Sequence, residues 1–260
     1  IFRMREFEQM EMQFFVRPGE EMQWFDHWKS VRMKWHEALG LQAEKLRIHE
    51  HEKLAHYANA AIDIEYLFPF GYKEVEGIHS RTDFDLKSHQ ELSGKKMQYF
   101  DPEVSKNYIP YVIETSIGAD RLFLMMMCEA YTEDTGVDAK GEEKTRLYLK
   151  LHPALAPVKA AILPLVKKDG LAEIGQSIYQ DLKMDLNVIY DDSAAIGKRY
   201  TRQDLIGTPF CIAVDHQTKE DNTVTIRHRD STEQERVAIS ELKSRLTEAC
   251  SMKRILEKLA

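Results

Sequence analysis

The spacing of apolar residues changes near residue 145, and this change limits the folds that are open to the chain. Before it, runs in which apolar and polar residues alternate recur at 62–68, 75–79 and 108–116, as expected of half-buried strands. After it, short apolar runs alternate with helix-like segments, which favours a small α/β domain. The sequence therefore predicts two domains, 1–145 and 146–260.

The same spacing predicts the remaining elements. In the first domain we expect a strand that begins at Ile1 and ends before Pro18, helices over 21–39, 42–60 and 121–131, and a linker over 132–144. In the second we expect strands over 146–151, 186–190, 210–214 and 223–228, and helices over 157–168, 171–184, 196–205 and 239–259.

The net charge of −7 is distributed unevenly between the two predicted domains. Residues 1–145 contain 18 Lys and Arg against 27 Asp and Glu, whereas residues 146–260 contain 18 against 16. An acidic protein is not expected to coat nucleic acid indiscriminately. The mildly basic second half nevertheless suits an RNA contact, so we expect the two domains to have different partners.

Targeting and redox features favour the cytoplasm. The longest purely apolar run, 122–128, has seven residues, whereas a membrane span needs about 20. Charged residues occupy the start of the chain, where a signal peptide would be apolar. The three cysteines are widely spaced and form neither a disulfide framework nor a metal knuckle, so we expect a reducing, cytoplasmic compartment.

The first candidate functional segment lies at the start of the chain. Arg3 and Arg5 would share one face of a strand with Phe7, since alternate residues point the same way. Forked guanidinium groups match phosphate oxygens, and the aromatic ring would stack on a base. Glu8 and Glu11 follow in the same segment. The alternative is a solvated strand face with Arg–Glu pairs between strands.

A second segment contains Glu74, Arg81, Asp83 and Asp85. Carboxylates beside a phosphate site suit Mg²⁺, which prefers oxygen ligands. The alternative is a solvated acidic surface.

The third segment, 113–122, leads from a strand into a helix through Gly118. Glu114 and Ser116 would lie on one face of the strand. Arg121 stands at the start of the helix, where a cation opposes the helix dipole, and this position suggests an anionic partner. The alternative is a local salt bridge from Arg121 to Asp120 or Glu114.

Other catalytic signatures do not occur in the sequence. It has neither a Gly-x-Ser-x-Gly turn nor a GxxxxGK[ST] loop, so we predict no covalent nucleophile. The ten histidines are not expected to form a metal site. His27, His36 and His56 are expected to face solvent, and Cys128 is expected to be buried.

Together the three segments resemble the class II aminoacyl-tRNA synthetases, and among them the homodimeric bacterial glycyl-tRNA synthetases. Residues 2–11 resemble the second strand of motif 2, 118–121 resemble motif 3, 114–116 resemble the glycine pocket, and 77–86 (GIHSRTDFDL) also match. Residues 196–200 and 206–210 resemble the anticodon-binding domain. The resemblance covers essentially the whole chain. It implies an α+β antiparallel catalytic sheet with flanking helices, incomplete at its N-terminus, followed by a smaller α/β anticodon-binding domain.

The resemblance also implies a reaction and a set of ATP contacts. Glycine would be activated with ATP to glycyl-adenylate and transferred to the 3′ end of tRNA(Gly). Adenine would lie between Phe7 and Arg121, Arg5 would contact the phosphates, and Glu74 would help to place Mg²⁺. The implied ATP-binding residues are Phe2, Arg3, Met4, Arg5, Glu6, Phe7, Glu74, Val75, Gly118, Ala119, Asp120 and Arg121.

Glycine offers no side chain to bind, so the resemblance implies recognition of its ammonium group by Glu11, Glu114 and Ser116. Crowding near the α-carbon would exclude alanine, because affinity alone discriminates one methyl group by only about 10–200-fold. The implied glycine-binding residues are Phe7, Glu8, Gln9, Met10, Glu11, Glu114, Thr115, Ser116, Ile117 and Gly118.

Parts of the family pattern have no counterpart in the sequence, namely motif 1 and the first strand of motif 2 with its arginine. We therefore expect the chain to be a fragment of a longer homodimeric enzyme, inactive by itself, with no membrane or DNA partner. The alternative is a non-catalytic, nucleic-acid-binding accessory subunit with a synthetase-like fold. The retained charged residues, such as Glu114 and Arg121, disfavour that alternative.

Overall fold

The chain folds into two compact units in a computed structural model that describes residues 1–137 and 143–259. The first unit comprises Ile1–Cys128 with the residues from Lys258 onward, and the second comprises Glu129–Glu257. The division thus precedes the predicted domain boundary at residue 145.

The first unit is built on an antiparallel sheet. Its elements are β1 (Gln9–Val16), α1 (Glu21–Ala38), β2 (Leu46–Glu50), β3 (Ala60–Phe68), β4 (Gly71–Ser80), α2 (Phe84–Ser93), β5 (Tyr99–Asp101), β6 (Lys106–Tyr108), β7 (Tyr111–Gly118) and the start of α3 (Ala119–Ala130). Five strands form the sheet in the order β1-β7-β4-β3-β2, and β5 and β6 pair separately.

The strand register gives this sheet one polar and one apolar face. Glu11 pairs with Ser116, Ser116 with Gly77, and Gly77 with Asp63, so these four residues form one row on the polar face. The side chains of the opposite face are buried, among them Ile62, Ile64, Ile78 and Ile113. Phe14 of β1 also lies on that face and contacts Trp24 and Trp28 of α1. Helix α1 therefore covers the apolar face and leaves the polar face accessible.

A buried charged cluster joins α1 to β4. Glu76 is fully buried; it accepts hydrogen bonds from the Arg32 guanidinium, and its Oε2 lies 2.7 Å from His36 Nε2. His36 is fully buried as well, so the prediction that it faces solvent is wrong. The pairing with Glu76, distant in sequence, explains how this polar ring is accommodated in the interior. His27 and His56 are exposed, as predicted.

Two predicted elements of the first unit are wrong. The first strand begins at Gln9, since its partner β7 ends opposite that residue at Gly118 and the chain then enters α3. Arg3 and Arg5 are exposed and precede the strand. The predicted helix over 42–60 is a short 3-10 turn followed by β2. Leu46 and Ile48 there alternate with polar residues, a strand period. Cys128, expected to be buried, is half-buried.

The second unit is a mixed α/β fold. Its elements are β8 (Tyr131–Val137), β9 (Glu143–Leu149), β10 (Ala160–Pro164), α4 (Leu171–Leu182), β11 (Val188–Tyr190), α5 (Ile196–Leu205), β12 (Phe210–Val214), α6 (Thr218–Asp221), β13 (Thr223–His228), β14 (Gln234–Ala238), α7 (Leu242–Ala249) and α8 (Lys253–Leu256). Its main sheet has the order β11-β10-β12-β13-β14. The pairs of β10 with β11 and β12 are parallel, and the other two pairs are antiparallel.

Most elements predicted for the second unit are confirmed, including α4, α5, β12 and β13. The helix predicted over 157–168 is wrong, because this segment contains β10, an inner strand of the sheet whose five residues are all buried. An apolar run buried on both faces of a strand has no period by which to recognise it. The closing helix is broken into a 3-10 turn, α7 and α8.

The predicted linker over 132–144 is also wrong where the structure describes it, since β8 and β9 pair as a hairpin. Residues 138–142 of that segment lie outside the described residues. None of the helices within 1–137 and 143–259 combines the length and the apolar character needed to cross a membrane.

Candidate active site

A cleft of about 220 Å³ opens where β1 begins, β7 ends and α3 starts. It combines aromatic, cationic and acidic side chains with the backbone of Gly118. The lining residues are Ile1, Phe2, Arg3, Met4, Phe7, Glu8, Gln9, Glu74, Val75, Ser116, Gly118, Asp120 and Arg121. The first and third segments singled out in the sequence thus meet in one place, together with one residue of the second.

Arg121 is held at the start of α3 by contacts within the cleft. Its Nη1 donates to the main-chain oxygen of Glu74 (3.1 Å) and lies 3.2 Å from the Oε1 of that residue. Its Nη2 donates to the Phe2 oxygen (3.2 Å), and its Cζ lies 5.2 Å from the centre of the Phe2 ring. The partner of Arg121 is therefore Glu74, and neither Asp120 nor Glu114. The guanidinium keeps a defined orientation beside an aromatic ring.

A β-bulge brings the neighbouring residues Glu74 and Val75 to the same cleft. Ile64 of β3 pairs with Glu76 and Glu65 pairs with Glu74, so Val75 is one extra residue in β4. A bulge turns two consecutive side chains toward one face, whereas a regular strand would alternate them. Glu74 and Val75 consequently both line the cleft, and Glu76 faces α1. The Glu74 carboxylate is 45% exposed, which leaves it accessible to a cation.

Beyond the cleft, the polar face of the sheet continues to Glu114, which is largely buried. Gln13 Nε2 donates to its Oε2 (2.6 Å), Arg81 Nη1 donates to its Oε1 (3.0 Å), and His79 Nδ1 lies 3.6 Å from Oε1. The imidazole of His79, with Gln13 and Arg81, holds the pKa of Glu114 at about 2 despite its burial. Glu114 is therefore an ionised carboxylate within the sheet.

The adjoining row carries the remaining predicted glycine contacts. Ser116 Oγ accepts a hydrogen bond from Gln9 Nε2 and lines the cleft. Glu11 is paired in register with Ser116 and is exposed. Glu11, Glu114 and Ser116 thus share the polar face of two neighbouring strands.

The other predicted site residues lie outside the cleft lining. Arg5, Glu6 and Met10 are exposed, and Ala119 begins α3. The side chains of Thr115 and Ile117 point to the opposite face of β7 and are buried, so only their backbone atoms can face the polar side.

Two residues beside Glu114, Arg81 and His79, were not among the glycine contacts expected from the sequence. Arg81 was grouped with Glu74, yet Glu74 lies near the start of β4 and Arg81 follows its end. Arg81 Nε donates to Asp85 Oδ2 (2.7 Å). This hydrogen bond, together with the negative charge of Glu114, raises the Arg81 pKa above its usual value, although burial acts in the opposite direction. His79 also contacts Glu114. The alternation of β4 was a signal for His79, which lies on the same face as Gly77, whereas the contact of Arg81 with Glu114 depends on tertiary structure.

The lowered pKa of Glu114 leads us to expect that the first unit loses stability in acid. The folded pKa of Glu114, about 2, lies below the ordinary value of 4.5, so its ionised form stabilises the fold above about pH 4.5, and this contribution is lost as the pH falls toward 2. The loss should be on the order of 3 kcal/mol. Urea unfolding between about pH 5 and pH 2 measures it.

The matched variant for that experiment is Glu114→Gln, which cannot ionise. The three tryptophans of the chain, Trp24, Trp28 and Trp35, all lie on α1, so tryptophan fluorescence follows the first unit alone. The wild type should lose more stability than the variant over this pH range. Parallel pH profiles would contradict the assignment.

The second unit has a cleft of its own, of about 560 Å³, between β9, α5 and the turn after β13. Asp204 and Arg227 form a buried bidentate pair there (2.9 and 3.0 Å). Arg227 lies over the Tyr200 ring at 4.9 Å, and Arg146 lies over Tyr148 at 4.1 Å. The unit thus presents cationic and aromatic groups together.

Comparison with known proteins agrees with this arrangement. Residues 159–249 match the family described as anticodon binding domain. A glycine–tRNA ligase of Treponema denticola is 54% identical over 258 residues, which are 98% of this chain and 57% of that protein. The corresponding enzymes of Chlorobaculum tepidum (54% identity, 92% of this chain, 50% of that protein) and Staphylococcus haemolyticus (52%, 95% and 53%) are similar as well. The chain spans about half the length of these curated relatives.

Proposed function

Because the chain is homologous to bacterial glycine–tRNA ligases over more than nine-tenths of its length, we propose that the whole protein attaches glycine to tRNA(Gly). A glycine carboxylate oxygen attacks the α-phosphorus of ATP, and the bond to pyrophosphate breaks. The terminal ribose hydroxyl of the tRNA then attacks the glycyl carbonyl carbon, and AMP leaves. In this proposal the first unit is part of a class II catalytic sheet, and the second unit binds the anticodon.

The observation that carries the proposal is the grouping of Arg121, Phe7 and the bulge residues in one cleft. Arg121 already stacks on an aromatic ring there, that of Phe2, and a purine base can take up the same kind of contact. Adenine thus stacks against Arg121, with Phe7 on its other face. Val75 supplies an apolar wall, and Gly118 brings the backbone close without a side chain.

Phosphate recognition in this proposal falls to the N-terminal arginines. Arg3 lines the cleft and Arg5 lies next to it, exposed, so both can approach a polyphosphate. The exposed Glu74 carboxylate fits a Mg²⁺ ion that takes its other ligands from phosphate and water. The ion would neutralise phosphate charge during the displacement.

The glycine subsite lies next to this nucleotide subsite, on the polar face of the sheet. The carboxylates of Glu114 and Glu11 and the hydroxyl of Ser116 bind the ammonium group. Arg81 and Gln13 fix the orientation of Glu114 through hydrogen bonds. Catalysis then rests on positioning two substrates and neutralising charge, for which no covalent nucleophile is needed.

The second unit contributes the RNA contact. Positive side chains meet phosphates and aromatic rings stack on splayed bases in such contacts, and the cleft that contains Arg146 and Tyr200 presents both. The Asp204–Arg227 pair supports the wall of that cleft. The homodimer implied by the resemblance belongs to the whole protein as well.

Glycine-dependent exchange of pyrophosphate into ATP tests the proposal, with the chain extended to the full length of its relatives. We expect exchange with glycine, little exchange with the other amino acids, and charging of tRNA(Gly) only. A full-length, folded protein that exchanges with no amino acid would refute the enzyme and leave a nucleic-acid-binding accessory role. Exchange with a different amino acid would refute glycine as the substrate.

A further inference from the structure

Strand β4 has no side chain of its own at the position directly beside Ser116 on the polar face, because that residue is Gly77. Gly77 is paired in register with Ser116, and paired residues of antiparallel strands have Cβ positions about 5 Å apart. Any side chain at position 77 would therefore stand next to the Ser116 hydroxyl. The imidazole of His79 occupies the space that a side chain at position 77 would take.

The distances show how closely His79 fills this position. A Cβ added at Gly77 would lie 2.9 Å from His79 Cε1 and 3.7 Å from Asp63 Oδ1, and the first of these is shorter than a van der Waals contact. The Nδ1 of the same ring lies 3.6 Å from Glu114 Oε1. One imidazole thus extends along β4 past both Ser116 and Glu114.

Neighbouring groups hold the ring from behind. The His51 ring lies edge-on to it, with centroids 6.4 Å apart, and His51 Nε2 is 2.9 Å from Asp63 Oδ2. The His79 side chain is only 22% exposed. His51 and Asp63 therefore restrict movement of the His79 ring away from position 77.

We propose that His79 is a specificity-determining residue, which with Gly77 forms the β4 wall of the amino-acid subsite and admits only an amino acid without a side chain. The inference rests on the proposed function, in which Glu114 and Ser116 hold the ammonium group. A substrate held there has the imidazole on the β4 side of its α-carbon. A methyl group that replaces the hydrogen on that side overlaps the ring.

The test measures kcat/KM of pyrophosphate exchange for glycine, L-alanine and D-alanine with the full-length protein. The two alanines replace different hydrogens of glycine, so one of them directs its methyl group toward β4. In the His79→Ala variant, the alanine-to-glycine ratio of kcat/KM should rise at least about 10-fold for that enantiomer. The matched control is His89→Ala, which removes an exposed imidazole from α2 and should leave both ratios unchanged.

A second variant, Gly77→Ala, changes the other residue of the proposed β4 wall. Gly77→Ala places a Cβ where the imidazole now lies and pushes the ring toward the substrate. We expect the KM for glycine to rise at least about 10-fold while the KM for ATP stays the same. This variant also decides the matter if His79→Ala does not fold, as judged by tryptophan fluorescence. The intermediate variant His79→Asn should give a smaller rise in the alanine ratio.

Unchanged alanine ratios in a folded His79→Ala protein would overturn the inference. So would a Gly77→Ala protein in which the KM values for glycine and ATP change together, because that result indicates a general structural role. Failure of the proposed function is distinguishable, since it appears in the unsubstituted protein as a lack of glycine-dependent exchange.

Discussion

Replacement of Arg121 by alanine in the full-length protein is expected to lower kcat/KM for glycine-dependent pyrophosphate exchange about 1,000-fold. The guanidinium is held in place before any nucleotide binds, by the Glu74 and Phe2 oxygens. Its side chain is 18% exposed, so its charge acts in a partly water-excluded site. The variant loses both this charge and the flat surface on which adenine stacks.

Arg121→Lys separates these two contributions. Lysine retains the positive charge but lacks the planar fork, so it should restore only part of the activity. Tryptophan fluorescence should be the same in all three proteins, because the tryptophans lie on α1, which packs on the opposite face of the sheet. If Arg121→Ala kept more than about a tenth of the wild-type kcat/KM, the expected loss would be refuted, and with it the nucleotide role of this residue.

Replacement of Glu76 by alanine is expected to reduce the free energy of unfolding of the first unit by about 3–5 kcal/mol. Both carboxylate oxygens of Glu76 are bonded in the interior, to Arg32 and His36. Alanine would leave these two groups without their acceptor and would open a cavity between α1 and β4. Urea denaturation followed by tryptophan fluorescence measures the effect, since the reporting residues are on the same helix as Arg32 and His36.

Glu65→Ala is the matched control, because Glu65 belongs to the neighbouring strand and pairs with an arginine that is half-exposed. The Arg47 side chain of that pair is 50% exposed, and such pairs contribute about 0–1 kcal/mol. The two substitutions remove the same side chain from one sheet and differ in burial. Equal, small losses for both would mean that the buried cluster does not stabilise the unit.

Local patterns in the sequence predicted the elements whose environment is simple. The strands β3 and β13 and the helices α1, α4 and α5 each show the periodicity of one buried and one exposed face, and the structure confirms them. The strand β12 was recognised because its apolar run is short and is followed by a polar turn. These elements depend little on what lies beyond their own neighbours in the chain.

The errors arise where a distant segment decides the structure. The residues before Gln9 alternate like a strand, but β7 offers them no further partner beyond Gly118. The run in β10 is apolar on both faces because α4 packs against one face of the strand and α5 against the other. His36 resembled a surface histidine because its acceptor, Glu76, lies 40 residues away in the chain.

In the candidate site, too, the sequence predicted individual residues but not the tertiary contacts between them. The family resemblance suggested Glu74, Val75, Ser116 and Arg121 as ligand contacts, and the position of Arg121 against the helix dipole pointed to an anionic partner from the residues alone. The closeness of these residues depends on tertiary structure. The contact of His79 with Gly77 and Glu114 likewise requires the register of β4 against β7, which no local pattern specifies.

The extra residue in β4 has a consequence for anyone who would rebuild this site in another protein. After Val75, the strand presents Gly77 and His79 to the polar face. Before Val75, the alternation of side chains is shifted by one residue, so Glu74 also points to the polar face. Copying the side chains onto a regular strand would turn Glu74 away from Arg121. A graft must therefore include the insertion itself, with Glu74, Val75 and Glu76 kept as consecutive residues opposite Glu65 and Ile64.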